Sequence, residues 1–261
     1  MPEHAEVAII IDQLNKNFAN SSLREVEIVG GKFLKTGIEG LGTVQFPLNK
    51  VQFHCHGKFI YWTFSEQPVV FNHLGMAAGF GQRSKHSAIR FRFDNTDVYF
   101  NDIRHFGNFK FASKNDLQLK LNTLGWNPID PLPVDFISRL RKYNHKTIAE
   151  ILLNQSIISG TGNYLKSEIC YASKIHPLRT VGSLSDSEIL ELCNNTTKII
   201  KEAYRAGGAT IATFQDLNGN SGKFYNQFKV YSRKTDPNGY SVIKTTTPDK
   251  RSTYFVKEIQ K

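Results

Sequence analysis

The spacing of apolar residues predicts a helix at the start of the chain and a β-rich region after it. The stripe recurs at the 3.6-residue spacing of a helical face, and its members are Val7, Ile10, Ile11, Leu14 and Phe18. Over residues 26–111, apolar and polar positions alternate in short segments separated by Gly, Asn and Asp. This alternation predicts an antiparallel β sandwich or barrel.

After residue 133 the apolar spacing becomes helical again. Two helix starts carry a capping box, in which a Ser or Thr and a Glu three residues later bond to each other's backbone N–H groups. The two pairs are Thr147 with Glu150 and Ser185 with Glu188. The second helix is expected to stop at Gly207-Gly208, and residues 240–245 and 252–256 predict the two strands of a terminal hairpin.

Three prolines and Gly125 are concentrated in residues 124–133, which makes this stretch the best candidate for a linker. We therefore expect an α+β protein in which a helix and an antiparallel β sandwich form one domain and helices form another. The predicted bounds are 1–125 for the sandwich domain, 126–135 for the linker, 136–225 for the helical domain and 226–261 for the β-hairpin.

Charge and cysteine content narrow the class of protein. The chain has 261 residues and a formal net charge of +10, which favours a polyanion such as nucleic acid as the partner. Three cysteines, far apart and in no CxxC pair, indicate reduced thiols in an intracellular protein. Neither a membrane-length apolar run nor a secretory signal is recognisable, so we expect neither a membrane protein nor a secreted one.

The most informative chemistry lies in the first six residues, MPEHAE. A small second residue normally permits removal of Met1, and Pro2 then becomes a secondary amine. A proline inside a chain has no nitrogen lone pair to donate, because its nitrogen belongs to an amide. With Glu3 and Glu6 beside it, the amine is a candidate nucleophile with its own proton-transfer groups. An ordinary chain start is the alternative.

Three turns place further candidates for binding. Gly57-Lys58 fits a type II′ turn that projects an ammonium group, although a solvated turn lysine is the alternative. In residues 155–168, QSIISGTGNYLKSE, a glycine turn leads into a helix at Asn163, and such a helix start can bind a phosphate. Arg251, near the tip of the terminal hairpin, can bridge a phosphate with two N–H bonds.

Met76, Arg104 and Phe106 lie at predicted strand ends, in HLGM and NDIRHFG. Met and Phe are more often core residues, but an exposed trio could fill the gap left by a base turned out of a duplex. His54 and His56 share one strand face without an evident third ligand, so no metal site is expected there.

Together these motifs resemble the formamidopyrimidine-DNA glycosylase and endonuclease VIII family of base-excision repair enzymes. The resemblance covers nearly the whole chain, from MPExxEV through HGK, HLGM, NDxRxFG and GTGNYLKSE to VYSR and KRSTYF. It implies a helix plus β sandwich, a helix-two-turn-helix domain and a β-hairpin finger, with DNA bound in the cleft between domains.

The resemblance also implies roles for the catalytic candidates. Pro2 would be the Schiff-base nucleophile, and Glu3 the acid that helps to protonate the deoxyribose ring oxygen. Glu6 would assist proton transfer, and Lys58 would contact the phosphate and take part in lyase chemistry. Burial in the cleft is expected to raise the pKa of Glu3. No cofactor is implied.

The DNA-binding roles follow in the same way. Asn163 and Arg251 would hold the phosphates that flank the lesion, while Met76, Arg104 and Phe106 would fill the void in the duplex. The expected partner is damaged DNA, double-stranded or single-stranded, bound by a monomer. The compartment would be wherever DNA is: nucleus, cytoplasm or viral factory.

The terminal finger departs from the zinc-binding members of the family, which end in two cysteine pairs. The corresponding positions here are Asn238, Ser241, Val256 and Ile259. None can supply a thiolate, so no zinc is expected and the hairpin must rely on its own strand pairing. This pattern resembles the zincless finger of vertebrate endonuclease VIII-like glycosylases and their viral relatives.

The function implied is a bifunctional DNA glycosylase and AP lyase that removes oxidised bases, with pyrimidines and hydantoins preferred, and cuts the strand by β,δ-elimination. A glycosylase that prefers 8-oxoguanine or formamidopyrimidines is one alternative. A relative that binds DNA without catalysis is another, and a basic protein that binds RNA or a protein partner is a third.

Overall fold

The computed structural model describes residues 2–66 and 68–261, which belong to two units. The first unit contains the chain up to Thr123 together with Ala206–Lys223. The second contains Leu124–Arg205 and Phe224–Lys261. Helices and antiparallel sheets both occur, so the predicted α+β class is confirmed.

The first unit begins with helix α1 (His4–Phe18) and continues as two four-stranded sheets. The first sheet has the order β1-β6-β7-β5, and the second has the order β2-β3-β4-β8. The elements after α1 are β1 (Leu23–Ile28), α2 (Phe33–Thr36), β2 (Gln52–His56), β3 (Phe59–Thr63), β4 (Val69–His73), β5 (Ala78–Gly81), β6 (Ser87–Phe93), β7 (Asp97–Asp102), β8 (Asn108–Ala112) and α3 (Lys114–Asn122).

Aromatic side chains pack the two sheets against each other. The ring of Trp62 on β3 lies 4.8 Å, centroid to centroid, from the ring of Phe91 on β6. Phe109 on β8 lies 4.7 Å from Phe100 on β7 in an edge-to-face arrangement. All four side chains are buried, and such ring pairs add to the stabilisation from area burial. The predicted β sandwich is therefore confirmed.

Helix α1 packs on this sandwich with the stripe that the sequence predicts. The core includes Val7, Ile10, Ile11, Leu14 and Phe18. The side chain of Asn15 also bonds to the backbone of β2, because its Nδ2 donates to the Phe53 carbonyl (2.8 Å) and its Oδ1 accepts from the Phe53 N–H (2.9 Å). The amino end of the chain is thus fixed to the second sheet.

The second unit is helical and ends in a hairpin. Both predicted capping boxes are present: Thr147 Oγ1 accepts from the Glu150 N–H (3.3 Å), and Ser185 Oγ accepts from the Glu188 N–H (3.2 Å). The elements are α4 (Phe136–Leu140), α5 (Ile148–Leu153), α6 (Asn163–Ala172), α7 (Asp186–Arg205), β9 (Ile243–Thr246) and β10 (Ser252–Phe255).

The beginning of the predicted linker, residues 126–135, and the glycine before it are hydrogen-bonded to other residues of the second unit. The Gly125 N–H donates to the Gln155 carbonyl (2.9 Å), and the Trp126 N–H donates to the Ile157 carbonyl (3.0 Å). A Cβ at Gly125 would lie 2.2 Å from the Ile157 carbonyl carbon, so this approach requires glycine. The three prolines that suggested a linker therefore come after two residues that are hydrogen-bonded to the turn after α5.

Two other boundaries differ from the predicted ones. Ala206–Lys223 belongs to the first unit rather than to the helical domain, because Glu6 and Gln13 of α1 bond to it. The first hairpin strand starts at Ile243 rather than at residue 240. Residues 236–240 instead form a tight turn, in which the Asp236 carboxylate accepts from the N–H groups of residues 238 and 240.

The cysteines are free thiols, as the sequence predicted. Burial raises the pKa of Cys170 and of Cys193 to about 12, so both stay protonated and unreactive near neutral pH. Across the described residues, no helix is both long and apolar enough to cross a membrane.

Candidate active site

Pro2 and the two acids lie together at the amino end of α1. Pro2 is buried, and Glu3, only 3% exposed, is the N-cap of the helix. Glu6 is 1% exposed, and its Oε2 accepts from the Glu3 N–H at 2.7 Å. The helix therefore begins directly after the predicted nucleophile. Met1 lies outside the described residues, so its removal stays a prediction.

Glu6 also makes a long-range hydrogen bond that the sequence did not predict. Its second oxygen, Oε1, accepts from the Ala209 N–H at 2.8 Å, across 203 positions of the chain. Gly208 has a φ of +80°, and a Cβ there would lie 3.0 Å from Glu6 Cγ, so glycine lets the two segments approach. Glu6 thereby joins the start of α1 to residues 206–223. Its part in proton transfer stays a prediction.

A cavity of about 600 Å³ lies beside Pro2 within the first unit. One wall comes from β5 and residues 82–84, and another comes from residues 211–219. Met76 and Asn101 also line the cavity, whereas Lys58 is not among the described residues that do so. The structure thus places Pro2 next to a space that can receive a small chemical group.

Lys58 occupies the two-residue turn between β2 and β3. His56 pairs with Phe59 across the turn. Gly57 has a φ of 60° and Lys58 has no positive φ, which is the pattern of the predicted type II′ turn. Lys58 is half-buried. Asn15 of α1 is hydrogen-bonded to β2. The helix that follows Pro2 is therefore connected to the strand that precedes Lys58.

Met76, Arg104 and Phe106 are exposed and lie on two loops that touch. Met76 is 38% exposed and Phe106 is 54% exposed, and the Arg104 guanidinium lies 5.2 Å from the centre of the Phe106 ring. Gly75, at a φ of +60°, leaves only 2.7 Å between its ideal Cβ position and the Phe106 backbone. The predicted trio is thus brought to one surface, as a void-filling group requires.

Asp102 holds the loop that carries Arg104 and Phe106. It is 1% exposed, and its Oδ2 accepts from the Gly107 N–H at 2.7 Å while Oδ1 accepts from the Arg104 N–H at 3.3 Å. Asp102 is not among the residues for which the sequence predicted a role. The signal available was an Asp at the end of a predicted strand, directly before a turn that ends in glycine.

In the second unit, Asn163 and the segment around Arg251 are in contact. Asn163 begins α6, and its Nδ2 donates to the Ser252 carbonyl at 2.9 Å. One N–H of the amide that was expected to bind a phosphate is therefore used to hold the hairpin. Asn163 Oδ1 is buried and has no hydrogen-bond partner among the described residues. Arg251 itself is exposed. Its phosphate contact stays a prediction.

The hairpin does not rely on its own strand pairing alone, so that expectation was wrong. Lys166 of α6 is 0% exposed, and its Nζ lies 2.7 Å from Oδ2 of Asp249, whose side chain is 8% exposed. Asp249 also bonds to Thr247, and its Oδ1 accepts from the Arg251 N–H at 3.3 Å. A buried ion pair therefore lies directly under the hairpin tip. Lysine is rarely buried, so sequence reasoning gave no signal for it.

His54 of β2 has side-chain partners other than a metal. His54 Nε2 lies 2.9 Å from Thr63 Oγ1, and the His54 ring stacks on Tyr61. Burial lowers the pKa of His54, which favours the neutral ring at physiological pH. In the described ranges, no group of three or more His, Cys, Asp or Glu residues is placed to hold a metal ion.

Comparison with known proteins identifies the family. The model of the formamidopyrimidine-DNA glycosylase N-terminal domain matches residues 1–109, and that of its H2TH domain matches residues 124–215. The formamidopyrimidine-DNA glycosylase of Mycoplasma mobile is 32% identical over 100% of this chain and 99% of its own length. That of Mycoplasma genitalium is 31% identical over 91% of this chain and 87% of its own.

Solved structures have the same fold. The Lactococcus lactis Fpg in complex with DNA that contains an abasic site superposes with a TM-score of 0.85, at 24% identity over 99% of both chains. MutM (Fpg) from Thermus thermophilus gives a TM-score of 0.86 at 23% identity, over 99% of this chain and 98% of its own. Because a relative above 30% identity spans the whole chain, the chain belongs to the formamidopyrimidine-DNA glycosylase family, a family of DNA glycosylases with AP lyase activity that act in base excision repair.

Proposed function

We propose that this chain removes oxidised bases through a Schiff base on Pro2 and then cuts the strand by successive β and δ eliminations. The observation that carries the proposal is the position of Pro2, buried at the start of α1 and lining a cavity of about 600 Å³. An enzyme that acts on a base must take it out of the stack into such a pocket. A terminal amine beside the pocket is then a nucleophile in reach of the sugar.

The bond changes follow from an amine attacking an aminal carbon. The Pro2 nitrogen bonds to C1′, the bond between C1′ and the base breaks, and the base leaves with the proton that the Pro2 nitrogen loses. Glu3, buried next to Pro2, gives a proton to the ring oxygen, which opens the sugar. The iminium acidifies C2′, and loss of a C2′ proton expels the 3′ phosphate. Loss of a C4′ proton then expels the 5′ phosphate, and water releases the amine.

The DNA itself is proposed to be held by positive charge and by the exposed trio. The net charge of +10 favours a polyanion, with Arg251, Asn163 and Lys58 as phosphate contacts. The trio of Met76, Arg104 and Phe106 would enter the duplex where the base has left. We propose that a monomer binds the damaged site.

Replacement of Arg251 by alanine is expected to weaken DNA binding for every sequence tested. The slope of log K against log salt should become shallower by about 0.9, because one phosphate contact releases about one counterion less. Fluorescence anisotropy over a range of salt concentrations measures both quantities. Arg139→Ala is a matched control, since Arg139 is an exposed arginine of the same unit already paired with Asp135. Equal effects of the two replacements would contradict the assignment.

We propose that the preferred lesions are oxidised pyrimidines and hydantoins. The support is the absence of cysteine at positions 238, 241, 256 and 259, which leaves a finger like that of the zincless endonuclease VIII-like glycosylases. A second candidate, preference for formamidopyrimidines or 8-oxoguanine, is favoured by the names of the curated relatives, which are formamidopyrimidine-DNA glycosylases.

Side-by-side excision rates distinguish the two candidates. Single-turnover release of thymine glycol, dihydrouracil and spiroiminodihydantoin is expected to be faster than release of 8-oxoguanine from the same duplex. The lesions should be placed in one sequence context, because flanking bases also affect the rate. Fastest release of 8-oxoguanine or of a formamidopyrimidine would establish the second candidate instead.

A further inference from the structure

Residues 211–219 form one wall of the cavity beside Pro2, and this wall is organised by its own aspartate. Asp216 Oδ1 accepts from the N–H groups of Asn218 (2.9 Å) and Asn220 (2.8 Å). Asp216 Oδ2 accepts from Asn220 Nδ2 at 3.0 Å. These bonds fix the shape of the wall but leave its distance from the opposite wall undetermined.

Gln13 of α1 determines where this wall lies. Its Nε2 donates to Asp216 Oδ2 at 2.9 Å, and its Oε1 accepts from the Leu217 N–H at 2.8 Å. One amide group thus makes two bonds to neighbouring residues of the wall, across more than 200 positions of the chain. Leu217 also packs on the core of the first unit.

The same helix holds the other end of the segment. Glu6 bonds to Ala209, and Gln13 lies seven positions further along α1, which places the two side chains on one face, two turns apart. Helix α1 therefore carries Pro2 at its start and anchors the cavity wall at two points. A shift of the wall relative to α1 would change the space beside the reactive amine.

We propose that Gln13 is a positioning residue for substrate selection, because it sets the width of the cavity that receives the everted base. The inference rests on the proposed function. An abasic site has no base to place in the cavity, so Gln13 should affect base release and not the cutting of a preformed abasic site. A displacement of about 1 Å can change a rate by roughly a hundredfold, so an effect of at least tenfold is expected.

Two replacements test the contact. Gln13→Leu removes both bonds at similar volume, and Gln13→Glu places a second carboxylate against Asp216. In both, base release should fall at least about tenfold relative to cutting of an abasic duplex, and the ratio of rates between the best and the poorest lesion should shrink. The double variant Gln13→Glu with Asp216→Asn restores a donor and an acceptor and is expected to recover most of the ratio.

Asn17→Ala is the matched control, since among the described residues the Asn17 side-chain amide bonds only to the Gln13 carbonyl of its own helix. It should leave the ratio of base release to abasic cutting unchanged. An unchanged ratio and unchanged lesion selection in both Gln13 variants would overturn the proposal. If the unmodified protein fails to cut the abasic duplex, the proposed function is refuted instead, so the two failures are distinguishable.

Discussion

A form of the protein that keeps Met1 is expected to bind abasic-site DNA and to form no covalent adduct with it. Replacement of Pro2 by leucine produces such a form, because a bulky second residue prevents removal of methionine. The amine then moves one residue away from the position that lines the cavity. Loss of an enzyme's nucleophile commonly costs a factor of about a thousand or more, and base release should fall at least that far.

The control for this experiment is Pro2→Gly, which permits removal of Met1 and leaves a primary amine at the same position. It should keep a measurable fraction of both adduct formation and base release. Binding is compared on a duplex with a tetrahydrofuran site, which cannot form an imine. If Pro2→Leu releases bases as fast as Pro2→Gly, the terminal amine is not the nucleophile.

Replacement of Lys166 by methionine is expected to cause a large loss of stability in the second unit. The ammonium of Lys166 is fully buried and lies 2.7 Å from Asp249. Its removal leaves a buried carboxylate without its counter-charge, which costs about 3–5 kcal/mol. For a protein of this size the melting temperature should fall by roughly 10 °C, as measured by calorimetry.

Two comparisons separate this effect from general disruption. The double variant Lys166→Met with Asp249→Leu removes both charges and should recover much of the lost free energy of unfolding, since a buried pair can be replaced by apolar groups at little cost. Lys146→Met breaks a partly exposed pair with Glu150 and should cost less than about 1 kcal/mol. Similar losses for Lys166→Met and Lys146→Met would contradict the account.

The elements that the sequence predicted well are those set by local pattern. The apolar stripe of α1 is buried as expected, and the capping boxes at Thr147 and Ser185 begin their helices. Gly57 has the positive φ that the turn before Lys58 needs. In each case residues within a few positions of one another determine the conformation, so a single sequence contains the information.

The contacts that the sequence did not predict join residues far apart in the chain. Glu6 reaches Ala209, and Gln13 reaches Asp216, each across 203 positions. Lys166 reaches Asp249 across 83 positions. No periodicity signals such pairs. Such long-range contacts group residues 206–223 with the first unit and support the hairpin from α6.

The hairpin is supported by a buried charge pair between Asp249 in its turn and Lys166 of α6. Zinc-binding relatives are expected to hold the finger with four thiolates, whereas here Lys166 and Asp249 lie beneath its tip and Asn163 bonds to Ser252. Asp249 in turn accepts from the Arg251 N–H. The carboxylate that pairs with Lys166 therefore also holds the backbone of Arg251, whose exposed guanidinium is proposed to contact phosphate.

The most direct test of the Schiff-base mechanism is to identify the residue that becomes linked to DNA. The protein is incubated with an abasic-site oligonucleotide and borohydride, the adduct is digested, and the modified peptide is sequenced by mass spectrometry. The expected peptide begins with the reduced adduct on Pro2, without Met1. An adduct on Lys58 or another lysine, or no adduct at all, would contradict that expectation.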